Sequence, residues 1–116
     1  MRKLAPLVFV SLLVPSLASA YISPEFIRRV VREHLGEILA CYEESVRRRP
    51  DLAGRVVVRW VIGRDGRVTG ATIIQSTLGD TAVEQCIATK IASWTFPETA
   101  AGAITVNYPF VLGTGS

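Results

Sequence analysis

One histidine, two cysteines and one methionine are all that this 116-residue chain offers of the side chains that most often bind metals or attack bonds. Cys41 and Cys86 stand far apart, with no C-x-x-C pair and no histidine at ligand spacing, so a zinc site is disfavoured. Any Ser-His or Cys-His scheme must use His34, the single imidazole. The ten carboxylates are dispersed beside arginines and offer no pair for general acid and base work. Gly63-Arg64-Asp65-Gly66-Arg67 lacks the Gly-x-x-x-x-Gly-Lys spacing and the following helix of a phosphate loop, and a hairpin turn explains it better. No internal repeat and no low-complexity linker is present. The longest apolar run, Leu4 to Val14, is roughly half of the ~20 residues that cross a bilayer as a helix.

That short run sits where an export signal would sit. Met1-Arg2-Lys3 gives a positive start, the apolar stretch follows, and Ser16-Leu17-Ala18-Ser19-Ala20 ends in the small-x-small pattern of a cleavage site. Residues 1–20 are therefore expected to be a signal peptide, with the processed protein starting at Tyr21. No cysteine stands there for lipid attachment, so no membrane span or anchor is expected after cleavage. Loss of Arg2 and Lys3 takes the 13 basic residues to eleven against ten acids, and the net charge from +3 to +1. The basic character of the whole chain thus belongs largely to the signal, which argues against nucleic acid as a partner. The expected destination is the periplasm or the exterior, where cysteine pairing is chemically permitted.

The remaining ~96 residues fit one domain with a modest core. Ser23-Pro24-Glu25 is a helix start, with a cap, a first-turn proline and an acid suited to the dipole. Ile27, Val30, Val31, Leu35, Ile38, Leu39, Tyr42 and Val46 follow at helical spacing and predict one continuous amphipathic helix. Arg47-Arg48-Arg49 closes it and Pro50 stops it. From Gly54 the period becomes two: Val56, Val58, Trp60 and Ile62 alternate with Arg55, Val57, Arg59 and Val61. The turn at Arg64-Asp65-Gly66 returns a second strand over Arg67 to Ser76. Pairing Gly63 with Arg67 sets Ile62 opposite Val68, Trp60 opposite Gly70, where the indole finds space, and Val56 opposite Ile74. Asp80 is the expected cap of a second helix whose buried face is Val83, Cys86, Ile87, Ile91 and Trp94. Ile104, Val106, Tyr108 and Phe110 form a third strand, with Pro109 marking a sheet edge or strand end. Residues 113–116 are expected to fray as a flexible tail. The predicted class is α+β, in the order α-β-β-α-β.

The ordered set of these motifs resembles a known family. Gly54-x-Val56-x-Val58, Ile62-x-x-Asp65-Gly66-x-Val68, Ile73 and Ser76 look like the hairpin of the TonB C-terminal domain. Trp94-x-Phe96-Pro97 and Gly102-x-Ile104-x-Val106-x-Tyr108-Pro109-Phe110 continue the likeness, which spans roughly residues 27–111. Within that superfamily, Cys41-Tyr42-Glu43 on the first helix and Cys86 on the later one resemble the AgmX/PglI C-terminal type of myxobacteria. The resemblance implies a domain over residues 21–112, with a three-stranded antiparallel sheet, the hairpin's first strand central, and two helices on one face. TonB proteins join their domain to an inner-membrane helix through a proline-rich spacer. These residues hold neither feature, so the resemblance implies docking rather than energised transport.

Both cysteines fall on apolar helix faces, which favours a Cys41–Cys86 disulfide over two buried free thiols or a redox or metal site. His34 lies beside the buried stripe, where a partly buried, hydrogen-bonded ring is the plainer reading. Arg47-Arg48-Arg49 is either a solvated helix end or a grip for an acidic partner or lipid. Arg55, Arg59 and Arg67, with Val57, Val61 and Ile73, are expected on an outer sheet face that no helix covers, a mixed basic and apolar surface for a partner. Ile104, Thr105, Val106, Asn107 and Tyr108 are the candidate edge for strand addition. No cofactor and no catalytic residue is expected. The function expected is an exported docking or adaptor module of the bacterial envelope, binding an envelope protein or peptide as a monomer or strand-paired dimer. A small secreted hydrolase or redox enzyme using His34 or Cys86 is the alternative from another class, and a structural homodimer is a third.

Overall fold

The computed structural model describes residues 24–113; the expected signal peptide, start at Tyr21, Ser23 cap and tail from residue 114 lie outside them. Three helices and three strands follow in the order α1 (Pro24–Glu33), α2 (Leu35–Val46), β1 (Gly54–Ile62), β2 (Val68–Ser76), α3 (Thr81–Ala92) and β3 (Ile104–Leu112). The sheet is antiparallel with β1 in the middle, in the order β2-β1-β3. This is the α+β arrangement that the alternating periods predict. The central strand shows why: Val56, Val58, Trp60 and Ile62 are fully buried, while Arg55 and Arg59 between them are exposed. Side chains of a strand point alternately to its two faces, so one face meets the helices and the other does not.

The core is built on that face. Val106, Phe110 and Leu112 of β3 join it from one side, and Val83, Ile87 and Ile91 of α3 from above. Trp60 is its largest member and is ringed by aromatic neighbours: Trp94 meets it edge-on at 6.2 Å between centroids, with Phe96 and Tyr108 each at 6.1 Å. Aromatic pairs in such tilted and edge-to-face arrangements attract beyond their area burial. Two links tie α2 to α3. The Cys41 and Cys86 sulfurs are bonded, with Cα atoms 5.8 Å apart. Asp80 caps α3 by accepting from the Val83 N–H at 3.0 Å, and Arg49 beyond α2 reaches the same carboxylate at 3.2 Å. These groups, led by the Val83 hydrogen bond, hold the Asp80 carboxyl below its ordinary range.

Three expectations need correction. The continuous first helix is two helices parted at His34, whose φ of −109° and ψ of 9° leave the helical range. Its Nδ1 lies 2.9 Å from the Val30 carbonyl oxygen, its N–H is shared between the Val30 and Val31 carbonyls, and its ring lies 4.9 Å from that of Trp94. The side chain thus takes up the last turn of α1, and Trp94 holds it there. Redirected after the break, α2 buries Ile38, Cys41 and Ser45, and leaves Leu35 and Leu39 39% and 43% exposed. Those two leucines are not on the buried stripe.

The hairpin register is the second correction. Ile62 does face Val68, but Val56 faces Ser76 instead of Ile74, because β2 carries two bulges. One sets Gly70 and Ala71 against Trp60, and the other inserts Ile74, so each adds one residue to β2. Gly70 has φ +66° and open space where a Cβ would stand, so the glycine serves the bulged backbone, not room for the indole. The turn glycine, Gly66, has φ +86°, and a Cβ on it would collide with the Phe96 carbonyl. Its own carbonyl accepts from the Phe96 N–H at 2.8 Å, pinning the loop after α3 to the hairpin. The third correction is Ile73, expected on the outer sheet face: the bulge pairs it with buried Val58, and it packs against the core. Pro109 lies within an edge strand, as the sheet-edge reading expects, and the strand runs on to Leu112.

Candidate partner-binding surface

Main-chain direction along β3 follows from one residue of β1. The Arg55 N–H donates to Thr77 Oγ1 and its carbonyl accepts from the Thr77 N–H, both at 2.9 Å, so both groups point to the β2 side. Antiparallel ladders alternate, so Val57, Arg59 and Val61 do likewise, while Val56, Val58, Trp60 and Ile62 turn toward β3. Pairing between β1 and β3 is unbroken over nine residues, from Gly54↔Leu112 to Ile62↔Ile104. Phe110, Tyr108 and Val106 therefore hydrogen-bond inward. Thr105, Asn107, Pro109 and Val111 hold their main-chain groups outward, at the free edge. Pro109 fits inside the strand for this reason: its missing N–H is on the side where β1 asks for none. It leaves the edge with a carbonyl and no donor at that position.

The five candidate edge residues share a backbone edge but divide their side chains between two faces. Thr105 and Asn107 are exposed on the open face; Val106 is buried, and Ile104 and Tyr108 are half-buried toward the helices. On the helix side the edge is bordered by a groove. One part, about 250 Å³, is lined by Val31, Arg32, Leu35 and Leu39 on one wall and by Tyr108 to Leu112 on the other. A second part, about 170 Å³, continues from Tyr108 past Asn107 and Val106 to Pro24, Ile27 and Arg28. The sequence reading missed this wall. Its signal was an apolar stripe too wide for one straight helix, since eight apolar positions of the first helical segment were given a single face.

Arg55 and Arg59 lie exposed on the face opposite the helices, and Arg59 Nε donates to Asn107 Oδ1 at 3.1 Å. Arg67 stands just before β2 at the hairpin end, 3.9 Å from Asp65. The arginines and the edge segment meet at the Arg59–Asn107 contact, whereas Arg67 is apart from both. Of the residues named for the enzyme alternative, Cys86 has its sulfur in the disulfide and His34 is committed to Val30 and Trp94. Among the described residues no group of three or more His, Cys, Asp and Glu side chains is placed to hold a metal, and no helix is long and apolar enough to cross a membrane.

No family model and no curated protein matches the chain. Among solved structures it is similar to the NMR solution structure of the Helicobacter pylori TonB C-terminal domain, residues 179–285, with a TM-score of 0.51 and 21% identity over 82% of this chain and 86% of that one. At that identity the likeness speaks for the fold. The chain has a TonB C-terminal-domain-like fold: a three-stranded antiparallel sheet with its helices on one face.

Proposed function

We propose that this chain is an exported, non-enzymatic docking module of the bacterial envelope that captures an extended segment of a partner protein as a fourth strand along β3. The observation that carries the reading is the outer edge of β3, whose unbroken pairing with β1 turns the main-chain groups of Thr105, Asn107 and Val111 outward. An added strand gains affinity from such main-chain groups and specificity from pockets for alternate side chains, and the groove beside Tyr108 supplies the pockets. Pro109 interrupts the donor series, so capture is centred on residues 104–108. The export pattern of residues 1–20 supports a periplasmic or secreted location. Cys41-Tyr42-Glu43 together with Cys86 supports the AgmX/PglI-type subgroup, and with it the envelope energy-transduction or gliding-motility systems.

The test is amide hydrogen exchange of the exported protein, alone and with a partner captured from an envelope extract. Slowed exchange at Thr105 and Asn107, with capture lost in Asn107→Pro, is the expected result. That substitution repeats at position 107 what Pro109 already does on the same side of the strand, so folding should persist, as circular dichroism will show. Protection confined to Arg47-Arg48-Arg49 would replace strand addition with electrostatic docking at the end of α2. Edge protection that rises with the protein's own concentration would instead make the edge a homodimer seam.

A further inference from the structure

The ten carboxylates of the chain all lie in helices, turns and loops, and none stands on a strand. The uncovered sheet face therefore has arginines, valines and the neutral polar side chains of Thr69, Thr72, Gln75, Thr105 and Asn107, with no acid among them. Along β1 that face reads Arg55, Val57, Arg59, Val61, with exposed arginines and half-buried valines in alternation. Alternate residues of a strand are ~6.6 Å apart, which places the two arginines ~13 Å from one another with Val57 between them. Val111, paired with Arg55, adds a side chain 72% exposed. Arg55 has no ion pair among the described residues. Arg59 has its Nε bound by Asn107 at 3.1 Å, which orients the guanidinium and leaves its terminal nitrogens for another acceptor.

We propose that this face is a second docking surface, separate from the β3 edge, and that its occupant is an acidic amphipathic helix of a partner protein. Charge selects the acid: two arginines without neighbouring carboxylates favour an anionic partner. The valines between them select a partner with apolar side chains over a purely anionic glycan. The middle of a sheet face has no main-chain groups to offer, so an occupant must satisfy its own backbone, as a helix does and an extended segment does not. Helix geometry also matches the spacing. Acids at i and i+7 or i+8 stand ~10.5–12 Å apart, with an apolar residue at i+4 between them over Val57.

The probe is a synthetic helical peptide with glutamates at i and i+7 and leucines at i+4 and i+11, with a scrambled peptide of the same composition as control. It is titrated into the isotope-labelled exported protein and followed by NMR. The expected result is amide shifts at Val57, Val61 and Val111, a Kd raised at least about ten-fold in Arg55→Glu/Arg59→Glu, and weaker binding as salt increases. Asn107→Ala should weaken binding less than that, and Leu39→Ser, in the groove on the helix side of the β3 edge, should leave it unchanged. Failure of this proposal is thus distinguishable from failure of strand addition. If the double reversal does not fold, Arg55→Gln/Arg59→Gln replaces it, with about three-fold weakening expected. Equal binding by the scrambled peptide, shifts confined to residues 47–49, or undiminished affinity in the arginine variants would overturn the proposal. So would retention of phosphatidylglycerol vesicles, with no peptide binding, lost in the same double variant; that result would make the face a lipid surface.

Discussion

The two faces of β1 share one backbone and one set of neighbouring strands, yet they do opposite things. Val56, Val58, Trp60 and Ile62 are sealed under the helices, whereas Arg55 and Arg59 stand in solvent with half-buried valines beside them. Stability is thus concentrated on one side of the sheet, and the other side is left open to solvent. The disulfide follows the same division. It joins α2 to α3, both on the packed face, and touches nothing on the open one.

The sharpest way to break this comparison is to empty the packed face at its centre. Trp60→Ala should cost about 3–5 kcal/mol, measured by urea unfolding, because a large cavity is left among rigid aromatic neighbours. Val57→Thr, the next open-face residue but one, should stay within about 0.5 kcal/mol. Similar losses at the two positions would mean that the open face is covered in solution. Second in size is the covalent tie. Closing a loop with a sequence separation of 45 is worth about 4 kcal/mol in the chain-entropy model. Replacing Cys41 and Cys86 together by alanine should lower Tm by well over ten degrees, at about 4–8 °C per kcal/mol, with the fold retained by circular dichroism. A shift of only a few degrees would show that α2 and α3 are held by packing alone.

The smallest effect concerns the cap that links the same two helices. Asp80→Ala should cost about 1 kcal/mol through loss of the bond to the Val83 N–H. The sign of its pH dependence is set by the lowered carboxyl. Its contribution is complete above the ordinary value of 3.8 and is lost as pH falls through the lower folded value. Stability of the parent should therefore fall more steeply below about pH 4 than that of Asp80→Ala. Parallel curves would remove Asp80 from the account.

Where sequence and structure agree, a local signal had a single interpretation. Period two with apolar residues at even positions gave β1 its faces, Gly66 its turn, and Asp80 its cap, because each depends on a few adjacent residues. His34 was illegible as a break because apolar spacing continues across it, from Val30 and Val31 to Leu35 and Ile38. The break comes from a side chain bonding a carbonyl one turn back, together with Trp94, sixty residues distant along the chain. The bulges of β2 were hidden for a similar reason. Gly70 announced something unusual, but only the register of the whole hairpin decides whether a glycine gives space or a left-handed backbone. Pro109 left two readings open, a sheet edge or a strand end, because the sequence does not reveal which side of an edge strand looks outward; the structure has the edge. The groove wall beside β3 depended on all three of these and could not be placed without them.

The aromatic cluster has an optical consequence. The chain has two tryptophans, and Trp60 and Trp94 lie 6.2 Å apart at an interplanar angle of 83°. The Trp94 N–H donates to Glu37 Oε1 at 3.1 Å, while the Trp60 N–H is buried with no partner among the described residues. All indole emission therefore originates from one buried point beneath the helices, and none from the open face or the β3 edge. Loosening of the helical layer will register at once as a red shift, whereas a partner docking on the far side of the sheet will leave the emission unchanged and must be followed by another probe.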